Sequence, residues 1–254
     1  MIGVEIDLAR KLYPAVGAAP PRLVYEGFRL SVAPGAFVCV LGPSGAGKTT
    51  LLNMVAGLDR AYQGRIDLHG SPAPRIGYAF QTPRLLPWRS VLDNVLLPLP
   101  AGAESRKRAL EVLDDMGLGD ARDVYPERLS LGMQRRAALA RAFAVAPDLL
   151  LMDEPFVSLD EPTADRLRDL LLTLLAAHPA TVLFVTHDSR EAVRLADRVV
   201  MLAGAPARIV RDVPVALSAE ERRNGRAVDA FRARHLSTGL GVMPRSAEAR
   251  RERS

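Results

Sequence analysis

One stretch of eight residues limits this chain more than any other: Gly42-Pro43-Ser44-Gly45-Ala46-Gly47-Lys48-Thr49. It joins an apolar run that reads as a buried strand, Ala36 to Leu41, to a segment that reads as a helix, Lys48 to Ala56. Glycines let the backbone curl until successive amides point inward, and the new helix adds its positive end, so the turn is built to bind a polyphosphate. Lys48 then reaches the β- and γ-phosphates, and the Thr49 hydroxyl binds a magnesium ion. A glycine-rich turn with an exposed lysine is the plain alternative, and the strand before and helix after argue against it.

A second apolar strand, Leu149 to Met152, ends in the adjacent carboxylates Asp153 and Glu154. Neighbouring side chains on a strand point to opposite faces, but at the strand's end the second can turn toward the same place. Asp153 is thereby suited to holding magnesium and Glu154 to polarising an attacking water. A third buried strand follows at Thr181 to Val185. Between the two, Leu167, Leu170, Leu171, Leu174 and Leu175 fall on one helical face, with Pro162 near the first turn. Strand, helix and strand in this order give a parallel sheet with crossover helices.

The rest of the chain is organised around that sheet. The opening sixty residues and Val199 to Val210 hold β-branched runs separated by turn residues, which suits antiparallel pairing. Ser90 to Val145 follows helical spacing, as in Leu110, Leu113, Met116 and Leu118, and reads as an insertion at about 83–146. Arg226 to His235 reads as a short terminal helix. The reading is one domain over residues 1–240, then a basic, disordered tail over 241–254 carrying Arg245, Arg250, Arg251 and Arg253.

Composition excludes several classes. The net charge is +5 and no aromatic residues interleave with the terminal arginines, so a solvated tail is favoured over a nucleic-acid arm. Cys39 stands alone inside an apolar strand, which makes it an inert thiol and rules out an internal disulfide. The most apolar long segment, Leu167 to Val185, is broken by Arg168, Asp169, His178 and Pro179, and the first ten residues carry Glu5 and Asp7. Neither a membrane span nor an export signal is expected, so any membrane contact runs through a partner.

Six motifs in order name a family. Beside the phosphate loop and the carboxylate strand stand Gln81 after an aromatic strand end, Leu129-Ser130-Leu131-Gly132-Met133-Gln134, Ser158-Leu159-Asp160, and His187 in Val185-Thr186-His187-Asp188. Together they closely resemble the nucleotide-binding domains of ABC ATPases over roughly residues 4–210. The resemblance implies an α/β fold of the P-loop NTPase type, with a RecA-like parallel core, an antiparallel β subdomain and an inserted helical subdomain.

It also implies MgATP as ligand, held by Gly42 through Thr50, and a head-to-tail dimer in which Ser130 and Gly132 of one subunit close over the nucleotide of the other. Gln81 then senses magnesium and water, His187 contacts the γ-phosphate, Asp160 lies at the dimer seam, and Tyr13 stacks on adenine, with Tyr25 as its competitor. Lys48, Gln81, Glu154 and His187 form the implied catalytic set, and Thr49, Gln81 and Asp153 the implied metal set. The chain departs from the family at Leu131, where glycine is usual. If that position needs a left-handed backbone or very close approach, the side chain costs about 1 to 2 kcal/mol or blocks contact. Slower hydrolysis than in a glycine-bearing relative is then expected.

The segment Gln81 to Val95, with Leu86, Pro87, Trp88 and Arg89, is similar to the ATPases of the nitrate, sulfonate, taurine and bicarbonate importers. There it receives a cytoplasmic helix of the permease, with Trp88 and Leu86 as apolar anchors and Arg84 or Arg89 at the rim. Alternatively Trp88 packs the helical insertion. The resemblance implies a motor at the cytoplasmic face of the inner membrane, with a membrane permease, a second ATPase subunit and a periplasmic solute-binding protein as partners, and no nucleic acid. A chromosome or repair ATPase of the same superfamily would carry a coiled coil or cysteine pairs, and neither is present. A translation-associated relative would carry two cassettes. A hydrolysis-poor regulator remains an alternative because of Leu131.

Overall fold

The computed structural model describes residues 1–15, 17 and 19–237; the tail expected over 241–254 lies outside them. The chain opens with two long antiparallel strands, β1 (Gly3–Tyr13) and β2 (Arg22–Val32). Along β1, Val4, Ile6 and Leu8 face inward while Glu5 and Asp7 face solvent, the period-two pattern of a half-covered sheet. The register against β4 (Gln63–His69) then slips between Leu8 and Arg10, and that bulge turns Lys11 rather than Leu12 into the interior. Lys11 is 1% exposed there, and its ammonium donates to Asp59 Oδ1 at 2.7 Å and to the Ala61 carbonyl at 2.9 Å.

β3 (Phe37–Leu41) runs straight through the molecule with all five residues buried. It lies at the heart of a second sheet, in the order β5 (Ile76–Ala79), β6 (Leu149–Asp153), β7 (Thr181–Thr186), β3, β8 (Arg198–Ala203), β9 (Arg208–Pro214). The first five are parallel, and β9 turns back antiparallel on β8. The expected antiparallel pairing at Val199 to Val210 therefore forms on the edge of the main sheet. The two sheets meet where Ala207 donates its amide to the Val24 carbonyl at 2.8 Å.

A strand covered on both faces reads as an unbroken apolar run, and β3 shows why. Phe37, Cys39 and Leu41 pack into a core shared with the helical side, whereas Val38 and Val40 pack into one shared with α1 (Lys48–Val55) and the antiparallel sheet. Burial pushes the Cys39 thiol far above its ordinary pKa, so it stays a protonated apolar filler. The helical side comprises α2 (Val91–Leu96), α3 (Ala103–Asp115) and α4 (Leu131–Ala144), all between β5 and β6. α5 (Glu161–Ala177) follows β6, capped by Asp160 and with Pro162 in its first turn, and buries Leu167, Leu171 and Leu174. α6 (Ser189–Leu195), α7 (Ala219–Arg223) and α8 (Gly225–His235) complete the described residues. Among them no helix is long and apolar enough to cross a membrane.

Candidate active site

In a parallel sheet the carboxyl ends of the strands share one edge, and here that edge gathers the polar residues of the sequence motifs. β3 ends at Leu41 and leads into the phosphate loop; β5 ends two residues before Gln81; β6 ends at Asp153; β7 ends one residue before His187. Gln81 is fixed through its backbone, since its carbonyl accepts from the Arg135 guanidinium of α4, which also donates to the Val157 carbonyl at 3.1 Å.

The loop itself depends on left-handed glycines. Gly45 and Gly47 have φ of +81° and +86°, and a Cβ on Gly47 would sit 2.5 Å from a Val24 methyl. No other residue fits at Gly47 without moving β2. The neighbouring Tyr25 is fully buried against Phe28, its hydroxyl donates to the Gly47 carbonyl at 3.0 Å, and burial holds that hydroxyl protonated. Tyr25 is therefore a brace beneath the loop and no rival for adenine. The Arg22 guanidinium donates to the Gly45 carbonyl from the same strand. Tyr13, 38% exposed, reaches the loop's helix instead, with its hydroxyl 3.4 Å from Thr50 Oγ1 and donating to Asp59 at 3.0 Å. The Lys11 ammonium lies 4.3 Å from the centre of the Tyr13 ring.

Lys48 is 5% exposed, and its ammonium donates to the Gly42 and Pro43 carbonyls at 2.9 and 3.1 Å. It also lies 3.3 Å from Glu154 Oε1, and the other Glu154 oxygen accepts from His187 Nδ1 at 2.9 Å. The adjacent carboxylates converge by a backbone device. Glu154 adopts φ of +44°, a left-handed conformation that costs a non-glycine residue energy, and this swings its side chain to the side that Asp153 faces. Asp153 is 3% exposed and hydrogen-bonded by Thr49; burial first, then the charge of Glu154, raises its pKa, against the pull of Thr49 and Lys48. A buried carboxylate joined to a hydroxyl is a hard-oxygen set suited to magnesium.

The remaining motifs lie on the helical side. Ser130 caps α4 with φ of −63°, its Oγ accepting from the Met133 amide at 3.3 Å, which leaves its own proton free to donate. Leu131 opens the helix in right-handed conformation and is 40% exposed. Of the two alternatives at Leu131 the left-handed backbone is excluded, because a helix's first residue needs no positive φ; close approach by a bulky side chain on an open surface is the one left. A Cβ on Gly132 would lie 2.8 Å from the Thr163 methyl, which accounts for that glycine by packing. Asp160, exposed, caps α5 by accepting from the Thr163 amide at 3.1 Å.

Trp88 is 71% exposed, so it does not pack the insertion. The segment that presents it is held from behind by the fully buried Asn94, whose amide group donates to the Leu86, Arg89 and Ser90 carbonyls at 3.1, 3.1 and 2.9 Å while its oxygen accepts from the Leu86 amide at 2.7 Å. Arg141 donates to the carbonyls of Pro83 and Arg84, both at 2.8 Å. Asn94, Arg135 and Arg141 were not singled out from sequence; a polar residue at a helical core position was the one available sign.

The pattern of the ABC transporter family matches residues 25–157, half the chain, with the phosphate loop, Gln81, Ser130 and both carboxylates inside the match. The chain belongs to the ABC transporter family. It is similar to "Aliphatic sulfonates import ATP-binding protein SsuB 2" of Burkholderia lata, at 40% identity over 98% of this chain and 90% of that protein. It is likewise similar to a protein of Rhodococcus jostii named "Aliphatic sulfonates import ATP-binding protein SsuB 1", at 49% identity over 68% of this chain and 70% of the relative. A dimeric structure of the ATP-binding cassette MJ0796, in a post-hydrolysis state bound to ADP and Pi, superposes with a TM-score of 0.73 at 30% identity, covering 85% of this chain and all of that one. The fold is accordingly that of an ABC cassette, a P-loop NTPase, and the chain is an ATP-binding, ATP-hydrolysing subunit that uses magnesium.

Proposed function

We propose that this ABC ATPase drives import of an organic sulfonate or a related small anion through a separate membrane permease, working as a dimer at the cytoplasmic face of the inner membrane with a periplasmic solute-binding protein in the complex. The relatives' names support the direction and the solute class. The observation that carries the mechanism is the closure of Glu154 on both Lys48 and His187, at 3.3 and 2.9 Å, beside the phosphate loop.

In this reading Gly42, Pro43, Ser44, Gly45, Ala46, Gly47 and Thr50 cradle the phosphates, and the amides of the loop supply most of the hydrogen bonds. Lys48 gives up its carbonyl partners for the β- and γ-phosphates, which frees Glu154 to orient water for attack in line with the leaving group. His187 donates toward the γ-phosphate, and Gln81 would help hold the metal and orient the water. Asp153 and Thr49 would hold magnesium, which when bound offsets the charge building on the β- and γ-oxygens. Ser130 and Gly132 from the partner subunit close the site at the positive end of α4. Asp160 faces the seam, and the open side of Tyr13 stacks on adenine.

Trp88 and Leu86 supply the apolar centre of a permease contact, with Arg84 and Arg89 at its rim. Because this segment follows Gln81 directly, a change at the γ-phosphate is carried to the permease through backbone held by Arg135. The test is ATP hydrolysis by the permease complex reconstituted with its solute-binding protein. An aliphatic sulfonate is expected to stimulate turnover severalfold, and stimulation by an unrelated solute in its place would overturn the assignment.

A further inference from the structure

Behind the His187 turn lies a chain of charges, buried at Glu191 and Arg168, that the hydrolysis mechanism above does not use. The Thr186 hydroxyl donates to Glu191 Oε2 at 2.8 Å and accepts from the Asp188 amide at 3.0 Å, so the residues on both sides of His187 are tied to α6. Glu191 is 8% exposed, and its other oxygen lies 3.5 Å from the Arg168 guanidinium. Arg168, 6% exposed, continues to Asp165 at 2.6 Å and Glu161 at 3.2 Å in the first turns of α5, directly after Asp160. Its guanidinium lies 5.5 Å from the ring centre of Phe156, two residues beyond Glu154, and Arg194 of α6 adds a 2.8 Å bond to Asp165.

Two further facts give the chain a purpose beyond stapling helices. The segment between the carboxylate and the seam has a left-handed, non-glycine residue near each end, Glu154 at φ +44° and Ser158 at φ +64°. Such strain persists only where surrounding contacts over-determine the backbone. An open cleft of about 190 Å³, lined by Glu154, Ser158, Leu159, His187, Arg168 and Glu191, lies among these elements. Buried ion pairs add little to stability against an apolar substitute, and their best use is to specify one arrangement.

We propose that Glu191 and Arg168 are positioning residues: they lock the His187 turn to the Asp160 turn, so that the contact made by His187 and the dimer seam move as one unit. The proposal rests on the roles given above to Glu154, His187 and Asp160. Ligand reaching His187 is then felt at Asp160 without any change in nucleotide affinity within a subunit.

The experiment compares full-length Glu191→Gln and Arg168→Met with the parent for kcat, KM, ATP affinity, thermal midpoint and the side-chain nitrogen resonances of His187. The chain has only four histidines, so these resonances can be assigned by substitution. Expected is a fall in kcat of about tenfold with ATP affinity kept within about twofold, as for other second-layer partners. The His187 nitrogens should shift toward the tautomer mixture of a free imidazole while the other three histidines stay put. Glu191→Gln keeps the shape and the Thr186 bond, so it reads the same quantity if Arg168→Met does not fold.

Unchanged kcat and unchanged His187 resonances in Glu191→Gln would overturn the proposal. So would a parallel loss of kcat and ATP affinity that follows the thermal midpoint, the mark of a simple staple. Controls separate the levels: full activity in Glu154→Gln or His187→Ala sinks the site's reading and the lock with it, whereas inactive controls beside a fully active Glu191→Gln sink the lock alone.

Discussion

At the strand ends Lys48 is 5% exposed and Glu154 is bonded to both Lys48 and His187, while on the helical side Trp88 is 71% exposed and Leu131 is 40% exposed. Both regions are rigidly built. The phosphate loop is braced by Tyr25 and Arg22, and the Trp88 segment by Asn94 and Arg141. The difference lies in where the side chains point. One region directs its polar groups at each other around a cleft within the chain; the other fixes its backbone inward and directs large side chains out. A rigid scaffold that displays an exposed tryptophan is organised for a partner, whereas a buried lysine among carbonyls is organised for a ligand.

The sharpest way to break that contrast is Lys48→Ala. If the cleft belongs to one chain, ATP affinity of the isolated subunit should fall by roughly a hundredfold, the equivalent of a lost charge-assisted bond of about 3 kcal/mol, read by titration of a fluorescent nucleotide. Trp88→Ala should leave that affinity untouched and weaken permease binding about thirtyfold, the usual scale of an interface anchor, as measured by copurification at graded concentration. Equal binding by the variant would return Trp88 to the status of an idle surface residue.

A smaller effect is expected at Leu131. With backbone strain excluded, its cost is a bulky side chain at the closing face, and Leu131→Gly should speed hydrolysis roughly fivefold, about 1 kcal/mol. Unchanged turnover would mean that the partner accommodates the leucine. Tyr25→Phe removes one buried hydroxyl beneath Gly47 and should lower stability by about 1 kcal/mol, visible in denaturant unfolding, with a change in ATP affinity below fivefold. A larger loss of affinity than of stability would make Tyr25 part of the ligand's immediate surroundings.

How far the sequence could be read follows the same division. The strands Leu149 to Asp153 and Phe37 to Leu41 were legible because a parallel strand covered on both faces becomes an unbroken apolar run. The phosphate loop was legible because glycine at φ +81° and +86° has few substitutes. What stayed hidden depends on long-range geometry. Nothing local says that Glu154 takes a positive φ, that a bulge turns Lys11 inward, or that Asn94 serves the carbonyls of residues before it. Tyr25 competed with Tyr13 for a related reason: an aromatic near the right place in the chain looks the same whether it faces the ligand or the core. Leu131 left two alternatives open because a glycine in a motif can serve backbone conformation or close approach, and only the fold shows a helix start there.

Two copies of this cleft sharing the nucleotide, with Glu154 orienting the water, can be caught by following the size of Glu154→Gln with and without MgATP by light scattering. Expected is a monomer without nucleotide and, with it, a long-lived dimer holding two uncleaved ATP molecules. A Glu154→Gln protein that remains monomeric with ATP and still hydrolyses it would rule out both roles.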